Sequence, residues 1–302
     1  METPANYMTP TIFCEKATEF FKGIPNVQVI IRDRSWAEEQ KMGAFISVSN
    51  GSSQPLKFLE IRYNGGVTFD SGGISIKPST GMAMMKGDMG GAAVVLSSLH
   101  GVASLGLPLN VVASIPLTEN MPSGSATKPG DVVIASNGLS IEVDNTDAEG
   151  RLILADAIYY TAKTFKPHTL IELSTLTGAM DVALGTGYAG VFTNSDIVWE
   201  ELLFAGLKTG DEFWRMPLSD VYAPQIKSKV ADLKNVGGRG AGSCTAALFL
   251  KSFIPEGSKV GFAHIDIAGV MHNEAPSDLL GAGMTGRPTR SIIEFCKRLS
   301  SN

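Results

Sequence analysis

The strongest constraint on the fold is a repeated alternation of short, almost wholly apolar runs with longer stretches of helical spacing. Residues 109–115, 169–173 and 260–267 are runs of the first kind; 89–105, 152–164, 197–209, 244–253 and 291–299 are stretches of the second. Strands that are apolar on both sides need cover on both sides, so the pattern predicts a mixed, largely parallel sheet flanked by helices on both faces. Nearer the start, Ile12, Phe13, Ala17, Phe20 and Phe21 recur at helical spacing over 9–22, with Thr9 or Thr11 as the cap. Residues 27–31, 45–48 and 58–63 read as strands, and 36–42 as a helix. No composition break, fixed-period repeat or low-complexity tract divides the chain, which predicts a single α/β domain over 1–302.

Composition narrows the function classes. The net charge is −5 and no Lys/Arg-rich run occurs, which argues against a nucleic-acid partner. No stretch approaches the about 18 apolar residues of a membrane helix, and no charged-then-apolar leader precedes the first helix. Cys14, Cys244 and Cys296 are odd in number and outside any CxxC spacing, so the reading is a reduced, cytoplasmic protein without a thiolate metal site.

Several acids lie where a charge needs a reason. Asp70 ends the run Val67-Thr68-Phe69 and precedes Ser71-Gly72-Gly73; Asp88 lies between Lys86-Gly87 and Met89-Gly90-Gly91. The segment Asp144-Asn145-Thr146-Asp147-Ala148-Glu149-Gly150-Arg151 packs three carboxylates into six positions. In an open α/β sheet, residues at strand-to-loop junctions face the crevice where ligands bind. Convergent carboxylates repel one another and push each other's pKa up unless a cation compensates. Oxygen donors of this type suit Mg, Mn or Zn, and a two-ion cluster implies metal-assisted hydrolysis, with Lys77 and Arg151 as cationic partners of the charge that develops. Each residue alone has an ordinary role: Asp70 in a turn, Asp88 as a helix cap, Asp147 and Glu149 as helix N-terminal acids paired with Arg151, and Lys77 in solvent. The combination is what those roles fail to explain.

The octapeptide Asn145-Thr146-Asp147-Ala148-Glu149-Gly150-Arg151-Leu152 resembles the signature of the leucine (cytosol) aminopeptidase family. Further blocks are similar to that family: Val67 through Pro78, Met85 through Ala93, Glu119-Asn120-Met121-Pro122-Ser123-Gly124, His264-Ile265-Asp266-Ile267-Ala268-Gly269, and Met284 through Arg290. The resemblance implies a two-metal aminopeptidase catalytic domain without the family's separate N-terminal domain, because Met1 through Asn6 matches the opening of the catalytic domain. It implies Asp70, Asp88, Asp147 and Glu149 as ligands of two Zn or Mn ions, with Asp70 and Glu149 shared. Lys77 then polarises the scissile carbonyl, and Arg151 holds a bicarbonate. Met85, Thr175, Gly178, Ala268 and Met271 match the pocket for a Leu-like first side chain, with Leu176 giving a backbone contact. Peptides are the implied substrates and a homohexamer the implied assembly.

The chain departs from the family pattern at Gly65, where members carry a metal-ligating lysine, and in lacking a loop and an apolar strand between the equivalents of Tyr63 and Gly66. That departure supports a rival reading, a catalytically impaired relative with a structural or assembly role. A carboxylate-rich phosphoesterase is weaker, because no histidine joins the cluster; His264 and His272 read as structural.

Overall fold

The computed structural model describes residues 2–61, 68–276 and 281–301. The first half runs through α1 (Pro10–Phe20), β1 (Val29–Arg32), α2 (Arg34–Glu39), α3 (Gly43–Ser49), β2 (Lys57–Ile61) and β3 (Phe69–Asp70). A 3-10 segment, Met82–Met89, leads directly into α4 (Gly90–Ser104), followed by β4 (Ala113–Leu117), β5 (Glu119–Asn120), β6 (Val132–Ile134) and β7 (Ser140–Glu142). Then come α5 (Gly150–Phe165), β8 (Thr169–Ser174), α6 (Gly178–Leu184), β9 (Ala189–Thr193), α7 (Asp196–Thr209), β10 (Phe213–Arg215) and β11 (Leu233–Lys234). The last elements are α8 (Gly242–Lys251), β12 (Gly261–Asp266), β13 (His272–Asn273), β14 (Gly283–Met284) and α9 (Thr289–Leu299).

The four-stranded sheet has the order β10-β9-β12-β8. Its β10–β9 and β12–β8 pairings are parallel and β9–β12 is antiparallel, giving the mixed sheet expected of the apolar runs. Side chains alternate across it as a strand requires. Phe262 and Leu170 join the core beneath α5 and α8, with Leu152, Leu248 and Phe249. Ala263, Ile265, Leu173 and Val191 join a second core with Val94, Leu202 and Phe295 of α4, α7 and α9. Helices thus cover both faces. A separate sheet, β1-β2-β4, is antiparallel and packs Leu59, Ile61, Ile115 and Leu117 against Phe13, Ala17 and Leu99 of α1 and α4.

The first helix starts at one of the two caps that the sequence offers. The Thr9 hydroxyl accepts from the Ile12 amide, with Pro10 at the first helical position, and Ser195 caps α7 in the same way. Two expectations fail locally. Residues 45–48, read as a strand, lie in α3, because a short apolar run has no period of its own and the Phe45 amide is bound by the buried carboxylate of Asp156 at 2.9 Å. The helix expected to reach Met42 stops at Glu39, and Lys41 takes a left-handed φ of 57°.

Candidate metal centre and active site

The acids converge because three separate strand ends or helix starts deliver them. Asp70 ends β3, which lies parallel to β5, and its carboxylate is oriented from two sides. Oδ1 accepts from the Gly72 amide and from Asn120 Nδ2, each at 2.8 Å, leaving Oδ2 to face the centre. Gly72 has φ +88°, and a Cβ there would sit 2.6 Å from an Asp147 oxygen, so this turn requires glycine. Thr146 fastens the two acidic loops together: its hydroxyl donates to the Gly72 carbonyl at 2.7 Å and accepts from the Ser75 amide at 2.7 Å. Asp147 follows an Asx turn, its amide donating to Asn145 Oδ1 at 2.9 Å, and Glu149 stands at the start of α5.

Asp70, Asp147 and Glu149 each bring an oxygen within 4.8 Å of the others. Lys77 lies between two of them, its ammonium 2.6 Å from Asp70 Oδ2 and 2.6 Å from Asp147 Oδ1. Asp88 opens partly onto the adjoining cavity and accepts from the Thr175 hydroxyl at 2.8 Å. Electrostatics bind these groups into one unit. Burial, then the charge of Asp70, pushes Asp88 up to about 7. Burial, then Asp70 and Asp88, raises Glu149 well above the carboxylate range, and burial raises Asp147 against the pull of Lys77. Burial works against the Lys77 ammonium, yet Asp70, Asp147 and Glu149 hold it above the ordinary lysine value.

The donor set fits a divalent cation. The oxygens are hard, they converge, and Glu149 Oε2 is buried with no hydrogen-bond partner among the described residues. One lysine offsets part of a charge that four carboxylates would carry. Arg151, the second residue of α5, is buried, and its Nη1 donates to the Asn235 carbonyl at 2.8 Å. Burial lowers it to about 10, opposed by Glu149 and Asp266, so it stays protonated at neutral pH.

A cavity of about 250 Å³ adjoins the cluster, bordered by Asp88, Asp147, Glu149, Arg151, Thr175, Leu176 and Gly178. Three of the expected substrate-contacting residues therefore lie beside the acids. Ala268 and Met271 instead line a second, more open cavity of about 750 Å³, where Met84 and not Met85 joins Met271. Gly65 lies outside the described residues. His264 pairs with Glu172 and stacks on Phe192 in the core.

Three residues that organise this centre have no assigned role in the sequence reading. Asn120 holds Asp70 and the Thr146 carbonyl, Asn235 holds the loop before Glu149, and Asp266 accepts from the Leu176 amide at 3.2 Å, the Thr177 hydroxyl at 2.6 Å and the Ala268 amide at 3.2 Å. Asp266 ends an apolar strand, the same signal that singles out Asp70. The two asparagines carry no charge to betray them.

The sequence model of the cytosol aminopeptidase family, catalytic domain, matches residues 1–293. The chain belongs to the cytosol aminopeptidase family. It is 53% identical to the cytosol aminopeptidase of Homo sapiens over 319 residues, which take in 100% of this chain and 61% of that protein. The cytosol aminopeptidase of Dictyostelium discoideum is 52% identical over 316 residues, covering 99% of this chain and 60% of its own length. This member of the family thus spans about three fifths of those curated relatives. Among solved structures, the bottromycin maturation enzyme BotP in complex with Mn superposes with a TM-score of 0.93 at 35% identity, over 99% of this chain and 68% of that one.

Proposed function

We propose that residues 1–302 act as the catalytic domain of a metal-dependent aminopeptidase that releases N-terminal, preferentially Leu-like, residues from peptides with two Zn or Mn ions. The observation that carries this reading is the convergence of Asp70, Asp147 and Glu149 around Lys77, with Asp88 beside them, at the mouth of a cavity. Asp70, Asp88, Asp147 and Glu149 would hold the ions. When bound, the ions supply Lewis acidity and make water reactive near neutral pH. Lys77 reaches the same point from its loop, and its ammonium is suited to donate to the scissile carbonyl oxygen as charge develops there. Arg151, fixed by Asn235 and protonated, presents a permanent positive charge at the cavity wall, where a bicarbonate would help move protons. Thr175, Leu176 and Gly178, together with Met85, Ala268 and Met271, would form the pocket for the first side chain, and burial of its apolar surface would favour Leu-like residues.

Family resemblance and the Mn-bound relative support the metal assignment, and the relatives' names support a cytoplasmic site of action. A homohexamer is the assembly we infer, with neither nucleic acid nor membrane as partner; among the described residues no helix is long and apolar enough to cross a membrane. Gly65 favours the second reading, a catalytically impaired relative with a structural or assembly role.

Hydrolysis of a Leu-anilide by the purified chain, with added Mn²⁺ or Zn²⁺, separates the two. Turnover that disappears in both Asp147→Asn and Glu149→Gln is expected; a folded, inactive wild type leaves the impaired relative as the better account.

A further inference from the structure

Asn235 follows β11, whose Leu233 and Lys234 pair in parallel with Ile141 and Glu142 of β7, and its own amide continues the ladder to the Glu142 carbonyl at 3.0 Å. The residue is wholly buried. Its side-chain oxygen accepts from the amides of Asp144 at 2.9 Å and Asn145 at 3.2 Å. Its side-chain nitrogen donates to the carbonyls of Asn145 at 2.6 Å and Ala148 at 3.2 Å. Two acceptor and two donor positions are all that a carboxamide has, and all four are used. The opposite orientation of the amide would set donor against donor and oxygen against oxygen. The backbone carbonyl of the same residue receives the Arg151 guanidinium.

One residue therefore grips the loop that delivers Asp147 and Glu149 and also fixes the Arg151 guanidinium that follows them at the start of α5. We propose that Asn235 is a positioning residue that holds the 144–149 loop and Arg151 in a single register, acting on the reaction through them and not through substrate. This rests on the aminopeptidase reading. The pocket walls at Leu176, Thr177 and Ala268 are held separately, by Asp266, so substrate binding should be little affected.

Asn235→Asp keeps shape and both acceptors but turns a carboxylate oxygen toward the Asn145 and Ala148 carbonyls. Loss of such an outer partner typically costs about 10–100-fold in activity or metal affinity. The expected result on Leu-anilide with Mn²⁺ is a kcat lower by about 10–100-fold with KM within about threefold, and a calorimetric Mn²⁺ affinity lower by about tenfold. In an Arg151→Ala background the same substitution should cost less than in the wild type, because the part of the loss transmitted through Arg151 is gone while the part carried by the 144–149 loop remains. Parallel changes in kcat and KM, or a full multiplicative effect in that background, would overturn the proposal. If Asn235→Asp does not fold, Asn235→Ser takes its place in the same measurements; failure of both to fold makes Asn235 a stability residue and also overturns it. A wild type that binds Mn²⁺ with the same affinity as the variant sinks this proposal alone. A wild type that neither binds Mn²⁺ nor cleaves sinks the metal reading and this proposal with it.

Discussion

Two sets of buried carboxylates, both placed by α5 and its approach, have opposite surroundings. Asp156, in the middle of the helix, is wholly buried; Oδ2 accepts from the Phe45 amide at 2.9 Å and Oδ1 from the Ser136 amide at 2.7 Å, tying α3 and the end of β6 to α5. Glu149, at the head of the same helix, has a buried oxygen with no hydrogen-bond partner among the described residues and faces Asp70 and Asp147. A lone carboxylate can be met by backbone donors and becomes a fastening for the fold. Convergent carboxylates are met that way only in part, as at Asp70 Oδ1, because each added acid raises the others, and their remaining demand is for a cation.

The largest expected effect separates the two sets by activity. Glu149→Gln should lower turnover of a Leu-anilide by about 10³-fold or more while the protein remains folded. Asp156→Ala should leave kcat per folded molecule nearly unchanged; an Asp156 variant that is folded yet inactive would break the comparison. Stability should respond in the opposite sense. Removing Asp156 strands the Phe45 and Ser136 amides in the core, for about 2–5 kcal/mol in a denaturant titration, whereas Glu149→Gln should be neutral or stabilising in chelator.

A pH titration in chelator sharpens the contrast. Burial lifts Asp156 to about 6 and Asp88 to about 7, so the folded protein holds protons that the unfolded chain has released. Stability should therefore fall as pH rises from about 4 to about 7, by on the order of 3 kcal/mol from Asp156 alone. Added Mn²⁺ should restore stability at the upper end; a melt insensitive to pH across this window would contradict the assigned burial of charge. The smallest effect belongs to Thr175→Val, which deletes the hydroxyl donor to Asp88. A drop of about tenfold in Mn²⁺ affinity is expected by calorimetry, with the fold intact.

The sequence makes the long elements legible because their signals are local. Thr9 caps where a cap is expected, and the runs that become β8 and β12 are apolar on both faces because helices cover both. The charged members of the centre are legible for a related reason: an acid at the end of an apolar run has few uses. What escapes is set by contacts between distant segments. Phe45 lies in a helix because Asp156, 111 residues away, receives its amide, and no pattern within 45–48 encodes that. Asn120 and Asn235 matter through the carbonyls and amides they meet across the fold, so nothing in their own neighbourhood distinguishes them from turn residues. The methionine pocket is half legible: Thr175, Leu176 and Gly178 border the cluster's cavity, while Ala268 and Met271 border the neighbouring one with Met84.

The most direct test of the metal centre is calorimetric titration of Mn²⁺ into chelator-stripped wild type and into Glu149→Gln. Two ions in the wild type, and one or none in the variant, is the outcome predicted for a carboxylate cluster built to hold divalent cations. Absence of binding by the folded wild type, or binding that Glu149→Gln leaves unchanged, would contradict it.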